Sequence, residues 1–363
     1  MWTNPTFTHI LVALFTMNSW LAINSIWIEV PAVVQVMPEG WELHSYLNFL
    51  LTVANVALMI MEKMIFGLNG FNVAAASLLP VLWNYTIVIK GHSHSVPYLI
   101  IVFILSICCC TANITFMPFM HKFRGIYMRT FFVGQSLSAL VPSSVALAQG
   151  VGMGSCMNVS LNVSEYKMEL RYQEENFSVT VYFWVLFCMV LYLSNCIHPI
   201  ASLDTMEQGI KLKSVSTYSC LPYGLKAFSF AAILSNVAKP IATLFTITFP
   251  CKSHSMLGII ITCALSCGGY ILVLAILSPC PPLHDTTVGG VIMVMVWVMF
   301  LGLFTYLKAM IGCILHDMGH SALVWGGIVT QAGIALGALV MFPLVSIFHL
   351  FDEGIPCVNS CTP

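Results

Sequence analysis

Long apolar stretches recur along the chain and are separated by short polar segments. A helix needs about 17 or more mainly apolar residues to cross a bilayer. Windows of that kind lie at residues 8–30, 45–61, 71–89, 97–119, 130–150, 179–197, 225–249, 256–278, 286–307 and 321–347. The pattern therefore predicts an all-α polytopic membrane protein with ten clear spans.

The composition agrees with a protein that lies mostly within a bilayer. Of the 363 residues, 59% are hydrophobic and only 7% are charged, whereas soluble domains have roughly 25% charged residues. A net charge of −1 indicates no basic surface, so neither a nucleic-acid partner nor a strongly anionic ligand is expected. The first apolar window is too long for the core of a cleaved signal peptide and is interpreted as a retained span.

The first window carries a polar stripe. Trp20, Asn24 and Trp27 have the i, i+4, i+7 spacing that places side chains on one face of a helix. Lipid cannot satisfy an amide, so this stripe is expected to face a central cavity, with Glu29 near one mouth, just before a helix-ending Pro31. The alternative is that Asn24 bonds a neighbouring helix while the tryptophans anchor at a membrane interface.

Further polar and aromatic side chains lie in or near the other windows. Each of them could bond two helices together, but as a set they are typical of a cavity with neutral donors, neutral acceptors and flat aromatic faces. Such a cavity suits an uncharged, planar, hydroxyl-rich solute. The candidate substrate-binding residues are Trp20, Asn24, Glu29, Asn113, Gln135, Tyr223, Asn236, Tyr306 and Gln331.

The charged residues and histidines in or near the apolar windows do not indicate a catalytic site. Lys239 lies near the middle of its window, where a charge is costly unless it meets water or a partner, so a cavity position and a purely structural one stay open. His316, Asp317 and His320 have a ligand-like spacing, but they lie in a predicted short loop and are interpreted as solvated residues. No catalytic group, metal site or cofactor site is expected, and the chain is not expected to be an enzyme.

Glycan acceptor patterns and basic residues set the expected orientation. The polar segment 151–178 contains three Asn-x-Ser patterns, at Asn158, Asn162 and Asn176, which places it outside the cell. The basic cluster at 121–129 belongs inside by the positive-inside tendency. Counting back gives a cytoplasmic N-terminus.

In the second half of the chain, the number of predicted spans does not agree with the sides of the membrane on which the loops and the tail are expected. Lys252 and Lys308 are interpreted as marking inside loops, and the tail after residue 347 is expected outside. These positions require one more crossing between 198 and 224, which is too polar for an ordinary span. Loop or tail cysteines could form disulfides on the oxidising side, with the pairing open: Cys156, Cys280, Cys357 and Cys361.

Several blocks of the sequence resemble the riboflavin transporters of solute carrier family 52. They are HILVALFTMNSWLAINSIWIEVP (9–31), MPEGW (37–41), CCTANITFMPFM (109–120), FFVGQSLSALVPSSVALAQG (131–150), YSCLPYG (218–224), ILSPCPPL (276–283), TYLKAMIG (305–312) and QAGIALGALVMFPLVSIFHLF (331–351). The blocks run nearly end to end, so the chain is identified as a member of this family.

The resemblance implies a plasma-membrane carrier of riboflavin with eleven helices, an outside C-terminus and an architecture like that of equilibrative nucleoside transporters and the major facilitator group. Residues 1–197 would form a six-helix bundle, 198–224 a connector with a remnant of the seventh helix, and 225–363 the second bundle with an extracellular tail. The family usually has asparagine where this chain has Lys239.

A mechanism follows from the resemblance as a hypothesis. The flavin ring would stack on Trp20 or Tyr223, amide and hydroxyl side chains would hold the imide and ribityl groups, and the halves would rock about a midplane site. For Glu29, gating or proton sensing competes with a structural role. The alternative is a shortened chain that acts as a ligand-binding membrane receptor without transport, and the oligomeric state stays open.

Overall fold

Ten α-helices make up most of the described part of the chain. The computed structural model describes residues 5–60, 68–89, 91–121, 123–150, 154–162, 165–172, 175–197, 219, 223, 225–251, 253–278, 280–283 and 286–346. The helices are α1 (Pro5–Val33), α2 (Leu43–Ile60), α3 (Leu68–Leu82), α4 (Val96–Met120), α5 (Gly125–Gln149), α6 (Val179–Ile197), α7 (Leu225–Thr248), α8 (His254–Ile276), α9 (Thr287–Met318) and α10 (His320–Ser346).

Two antiparallel hairpins lie between helices. Strands β1 (Ile87–Ile89) and β2 (His92–His94) pair between α3 and α4, and strands β3 (Gly154–Asn162) and β4 (Glu165–Tyr172) pair between α5 and α6. A 3-10 turn, Gly40–Glu42, precedes α2. The predicted all-α membrane fold is confirmed in its helical architecture, and the strands are confined to connections.

The predicted count of ten clear spans is not confirmed. Among the described residues, six helices are long and apolar enough to cross a membrane, namely Thr6–Val33, Gly125–Gln149, Val179–Cys196, Phe230–Thr248, His254–Ile276 and Thr287–Met318. Shorter apolar stretches lie within α2 (Leu43–Ala54), α3 (Gly70–Leu82) and α4 (Val96–Cys110). At one of the predicted windows, 71–89, the backbone differs from the expectation, because residues 87–89 form β1 and do not extend α3.

The first half of the molecule is built around α1. This helix packs against α4, α5 and α6, and α3 packs against both α4 and α6. Leu21 and Ile26 of α1 are fully buried, as are Tyr182 and Phe183 of α6. These side chains interdigitate between the helices. The resulting van der Waals contacts are a main source of attraction between helices in a bilayer.

The second half is built around α9, which packs against α7, α8 and α10. Ile271 and Leu274 of α8 meet Met293 and Trp297 of α9 in a buried cluster. The opposite side of α8 is exposed and apolar, for example at Leu265. An exposed apolar face on the most hydrophobic of the six helices is typical of a surface that contacts acyl chains.

The two halves meet along α5. This helix of the first half contacts α7 and α9 of the second, while α10 contacts α2 and α4. At Gly134 of α5, a Cβ atom would overlap the backbone of Ala13 in α1. Glycine at this position therefore lets α1 and α5 approach closely, as small residues do in membrane helix pairs.

Three local expectations are wrong. Pro31 does not end α1, because Val34 donates its N–H to the Val30 carbonyl at 2.9 Å and the helix continues to Val33; proline removes only its own donor. Lys308 lies within α9 and not in a loop. The loop expected around His316 is only Gly319, whose φ of 114° allows a sharp break between α9 and α10.

Candidate functional site

A polar face of α5 forms the centre of the candidate site. Asn24 of α1 donates from Nδ2 to Ser138 Oγ at 2.9 Å, and Ser138 Oγ donates to the Gln135 carbonyl at 2.6 Å. Asn24 is 6% exposed and Ser138 is fully buried. The stripe predicted on α1 therefore bonds to the neighbouring helix at Asn24, as the alternative interpretation held.

The same helix bonds to the second half. Lys308 of α9 donates from Nζ to Gln135 Oε1 at 3.1 Å, and Asn236 of α7 donates from Nδ2 to Ser143 Oγ at 2.7 Å. Lys239 then donates from Nζ to Asn236 Oδ1 at 2.8 Å. Polar side chains from four helices thus form a layer between the halves. We call Asn24, Gln135, Ser138, Ser143, Asn236, Lys239 and Lys308 the polar layer.

Two prolines place free carbonyls in this layer. Proline lacks an N–H, so it leaves the carbonyl four residues earlier without its helical hydrogen bond. Pro142 has this effect on Ser138, and Pro240 has it on Asn236. Each half therefore presents a backbone acceptor beside a polar side chain, and kinks at such prolines are tolerated where polar neighbours are available.

A second polar group lies near the β3–β4 hairpin. Gln149 donates from Nε2 to Glu29 Oε1 at 2.9 Å and to Glu175 Oε2 at 3.3 Å. Glu29 is fully buried, so it lies within the packed helices at this end. Burial raises the pKa of Glu175 above its ordinary value, while the hydrogen bond from Gln149 opposes that shift. One amide therefore bridges two carboxyl groups.

Other predicted site residues lie apart from the polar layer. Tyr223 donates to the Pro282 carbonyl at 2.9 Å and packs in the core of the second half. Tyr306 donates to the Phe249 carbonyl at 2.8 Å. Gln331 is 1% exposed on α10, and its Oε1 has no hydrogen-bond partner among the described residues. Trp20 is buried in the core of the first half.

Several predicted residues fall partly or wholly outside the described set. Asn113 lies on α4, but its side chain is outside that set. Asn158 and Asn162 lie on β3 of the hairpin, again without described side chains. Cys280 is disulfide-bonded, whereas Cys357 and Cys361 lie outside the described residues and Cys156 has no described side chain.

The third acceptor asparagine is exposed. Asn176 donates from Nδ2 to the Ala148 carbonyl at 2.8 Å, where α5 ends. An amide nitrogen has two N–H groups, so attachment of a glycan would leave one for this bond. The position is therefore compatible with the predicted modification.

The opposite end of the molecule, near the α4–α5 connection, is closed by apolar packing between the halves. Met128 and Phe132 of α5 pack with Ala309 and Cys313 of α9 in one buried cluster. His316 of α9 bonds from Nε2 to the carbonyls of Met120 and Phe123, at 3.1 and 3.0 Å. Because both partners are acceptors, Nε2 carries the hydrogen. The described residues contain no cluster of three His, Cys, Asp or Glu residues that could hold a metal.

Sequence reasoning missed four members of these groups. Ser138 and Ser143 were passed over because serine is common in membrane helices, where it often bonds its own backbone. Lys308 was missed because the apolar window was drawn to end at residue 307. Gln149 lies next to the end of the predicted window at residues 130–150. For Lys308 and Gln149, the sequence does contain a signal: a charged or amide side chain inside an apolar helix is costly unless it forms a hydrogen bond.

Comparisons with known proteins cover nearly the whole chain. The family model described as "Solute carrier family 52, riboflavin transporter" matches residues 4–208 and 197–353. The chain is 34% identical over 446 residues to "Solute carrier family 52, riboflavin transporter, member 3-A" of Danio rerio, covering 98% of this chain and 99% of the relative.

Two further relatives span the same length. "Riboflavin transporter 2" of Salmo salar is 35% identical over 453 residues, with 98% of this chain and 99% of the relative covered. "Solute carrier family 52, riboflavin transporter, member 2" of Homo sapiens is 32% identical over 438 residues, with 98% of each chain covered. These matches extend over nearly the whole sequence and include α1, α5, α7 and α9, so this chain belongs to solute carrier family 52, the riboflavin transporters.

Proposed function

We propose that this protein carries riboflavin across the plasma membrane by alternating access between its two helical halves. The observation that carries the proposal is the match of nearly the whole chain to a family whose members are named riboflavin transporters. In this proposal riboflavin is the transported solute and not a resident cofactor, and the protein is a carrier and not an enzyme.

The polar layer is the proposed location of the solute. Riboflavin is neutral, with an imide edge and a chain of hydroxyl groups that need both donors and acceptors. Asn24, Gln135 and Asn236 supply such groups from both halves, and Asn113 and Gln331 are the further candidates. Each neutral hydrogen bond contributes roughly 0.5–1.5 kcal/mol. The buried Gln331 Oε1, which lacks a described partner, is suited to accept the imide N–H.

The flavin ring needs a flat apolar surface. Trp20 and Tyr223 are the proposed stacking partners, one in each half, and stacking adds about 0.5–1.5 kcal/mol beyond area burial. Both side chains pack within the helical cores of their own halves. Ring contact would therefore require the halves to move, and this movement is what alternating access provides.

Rocking of the halves is supported by where the contacts between them lie. The apolar cluster of Phe132 and Cys313 closes the end near the α4–α5 connection. At the hairpin end, the described hydrogen bond of Glu29 is with Gln149 of the first half. We infer that the described conformation is closed at the first of these ends. Glu29, Gln149 and Glu175 then act as the gate at the hairpin end.

The proposed orientation places the β3–β4 hairpin outside the cell and the α4–α5 connection in the cytoplasm. Exposed Asn176 supports an outside hairpin with glycans at Asn158, Asn162 and Asn176. In this arrangement the N-terminus is cytoplasmic and the C-terminus extracellular. Residues 1–197 form the first bundle and 225–363 the second bundle with its tail.

A shortened connector between the bundles also forms part of the proposal. The family match divides into two segments that meet at residues 197–208, and the alignments run over 438 to 453 positions, longer than the 363-residue chain. Both facts support the loss of a segment where the seventh helix is expected. The remnant at 208–224 would then link the bundles.

Uptake by cells that express Asn24→Ala tests the proposal. Loss of the amide removes a donor worth roughly 0.5–1.5 kcal/mol from the polar layer, so riboflavin uptake should fall about two- to tenfold at equal surface abundance. Gln35→Ala is the matched control, since Gln35 is exposed just after α1 and bonds the Pro31 carbonyl. Uptake by Asn24→Ala equal to that of the control would remove Asn24 from the site.

A measurement of riboflavin flux into vesicles distinguishes a carrier from the alternative, a receptor that binds without transport. Purified protein reconstituted into vesicles should accumulate radiolabelled riboflavin in the lumen against a protein-free control. Binding without accumulation would refute transport by this chain and favour a receptor. The relatives lend no support to the receptor, because each is named a transporter.

A further inference from the structure

Two side chains connect the halves by hydrogen bonds at the closed end near the α4–α5 connection. Arg129 of α5 donates from Nη1 to the Ile247 carbonyl at 3.4 Å, where α7 ends. His316 of α9 donates from Nε2 to the carbonyls of Met120 and Phe123, where α4 ends. The arrangement is reciprocal, because each half supplies one side-chain donor and one helix end that accepts.

The end of α7 is suited to accept such a bond. The last four carbonyls of a helix have no N–H partner within that helix, and they carry a partial negative charge. Helix α7 ends at Thr248 and is soon followed by Pro250, which cannot continue a helix. The Ile247 carbonyl therefore has no partner in its own helix, and the Arg129 guanidinium, which is always charged, is a suitable donor from another helix.

The bonds of Arg129 and His316 flank the apolar cluster that closes this end. Arg129 directly follows Met128 of the cluster, and His316 lies about one helical turn after Cys313. Separation of the halves at this end would expose the cluster to water and would break the bonds of both side chains in the same movement. We call the apolar cluster together with these bonds the inner gate.

From this geometry we infer that Arg129 and His316 hold the inner gate closed by binding the ends of α7 and α4 across the two halves. Both are positioning residues for transport and not ligands of the solute. The inference rests on the proposed alternating access, since a gate requires halves that separate. It names the side chains whose bonds have to break before this end opens.

The two residues differ in how they stabilise the closed gate. Arg129 is partly exposed, so its guanidinium is hydrated as soon as the bond breaks and no buried charge remains. It is therefore expected to contribute modestly, through the attraction between a cation and a helix C-terminus. The side chain of His316 is only 10% exposed, and it contributes through hydrogen bonding.

The test follows the reaction of Cys313 with a thiol reagent in the purified full-length protein without riboflavin, by peptide mass spectrometry. Cys313 is buried in the cluster, so the reaction requires opening, and with a slow reagent its rate is proportional to the open fraction. The variants are Arg129→Gln, His316→Ala and the double variant. Arg124→Gln is the matched control, because Arg124 is an exposed arginine at the start of α5 whose side chain makes no capping bond.

Arg129→Gln should raise the Cys313 rate about two- to fivefold, which corresponds to the attraction between one cation and a helix end. Arg129→Lys keeps the charge and should stay close to the wild-type rate. The increase in the double variant should equal the product of the two single increases, because separate bonds that break in one movement contribute additively to its free energy. Arg124→Gln should react as the wild type does.

Equal rates in Arg129→Gln and Arg124→Gln would overturn the inference. A double variant that reacts no faster than the faster single variant would also overturn it, since the two side chains would then not act on one gate. Cys109 of α4 lies in the core of the first half and is 2% exposed, so it reports unfolding in the same digest. Equal acceleration at Cys109 and Cys313 would mean loss of folding and would likewise contradict a gate.

The outcome is independent of the proposed solute, because the assay contains no flavin. A protein whose Cys313 rate responds as expected but which does not accumulate riboflavin in vesicles would contradict the proposed function and leave the inner gate standing. A protein that accumulates riboflavin but whose Cys313 rate is unchanged in Arg129→Gln would leave transport standing and remove Arg129 from the gate.

Discussion

Asn236 donates a hydrogen bond to Ser143 at 2.7 Å, and this bond joins α7 of the second half to α5 of the first. Both side chains are at least 95% buried. Ser143 directly follows Pro142, and Asn236 lies one helical turn before Pro240, so the bond lies where each helix is freed to bend. It therefore connects two helices that move relative to each other in the proposed transport cycle.

Ser143→Ala should weaken this connection. Bonds between membrane helices contribute about 0.6 kcal/mol on average, so we expect a small decrease in thermal stability and a larger change in the rate of riboflavin uptake. Ser144→Ala is the matched control, because Ser144 is adjacent and bonds only the Leu140 carbonyl of its own helix in the described contacts. Equal uptake rates for the two variants would show that the Asn236 bond does not influence transport.

Gly134→Ala should disrupt the packing of α1 on α5. The added methyl group would overlap backbone atoms of Ala13, and backbone cannot move aside as a side chain can. Overpacking of this kind costs about 1–3 kcal/mol. The yield of folded protein in size-exclusion chromatography and the melting temperature should both fall.

Gly258→Ala controls for a change of glycine to alanine in a membrane helix, since a Cβ at Gly258 of α8 meets nothing within 4 Å. That variant should keep the wild-type melting temperature or raise it slightly. A Gly134→Ala protein as stable as Gly258→Ala would contradict the close approach of α1 and α5.

Glu175→Gln should alter the pH dependence of stability. Burial raises the pKa of Glu175 in the folded protein, so the folded state binds more protons than the unfolded state between the ordinary glutamate pKa and the raised one. Stability therefore falls as pH rises through that window. The variant cannot ionise, so its melting temperature should decline less over the same range.

Glu42→Gln, at an exposed position in the 3-10 turn, is the control for this measurement and should follow the wild-type curve. Because Glu175 is only partly buried, screening by solvent keeps the effect modest. An unchanged slope in Glu175→Gln would mean that burial does not raise the pKa of Glu175 in the folded protein.

His316→Ala should loosen the closed end near the α4–α5 connection. The variant removes the bonds to the Met120 and Phe123 carbonyls, which connect α9 to the end of α4. Cys313 is 7% exposed in the adjacent cluster, so its reaction with a thiol reagent should accelerate severalfold, as followed by peptide mass spectrometry. His320→Ala, at an exposed position on α10, should react at the wild-type rate, and equal rates in both variants would rule out this role for His316.

Particular residues show how far sequence reasoning reached into the site. Asn24 is an amide in an apolar helix, and the expectation that it points away from lipid follows from that fact alone. Its partner, Ser138, is 114 residues away, and no pattern in either segment indicates the pairing. Tyr306 had equal standing as a candidate, yet it bonds to Phe249 outside the polar layer.

Lys308 shows a different limit of prediction from sequence. A hydropathy window ends where charge begins, so a lysine at the end of a window is interpreted as belonging to a loop. The structure instead continues α9 through Lys308 to Met318, because the following turns bury Ala309, Met310 and Cys313. An acceptor on another helix, Gln135, allows the charge to lie there.

The sequence by itself determined that this is a membrane protein of helices, because in a bilayer the backbone must satisfy its own hydrogen bonds and long apolar windows can do so only as helices. It also determined the family, since the matching blocks need no structure to be compared. Only the tertiary structure decided which polar groups meet. Pairs such as Asn236 and Ser143, or Lys308 and Gln135, depend on the rotation and register of packed helices, and small residues such as Gly134 set these through contacts with distant parts of the chain.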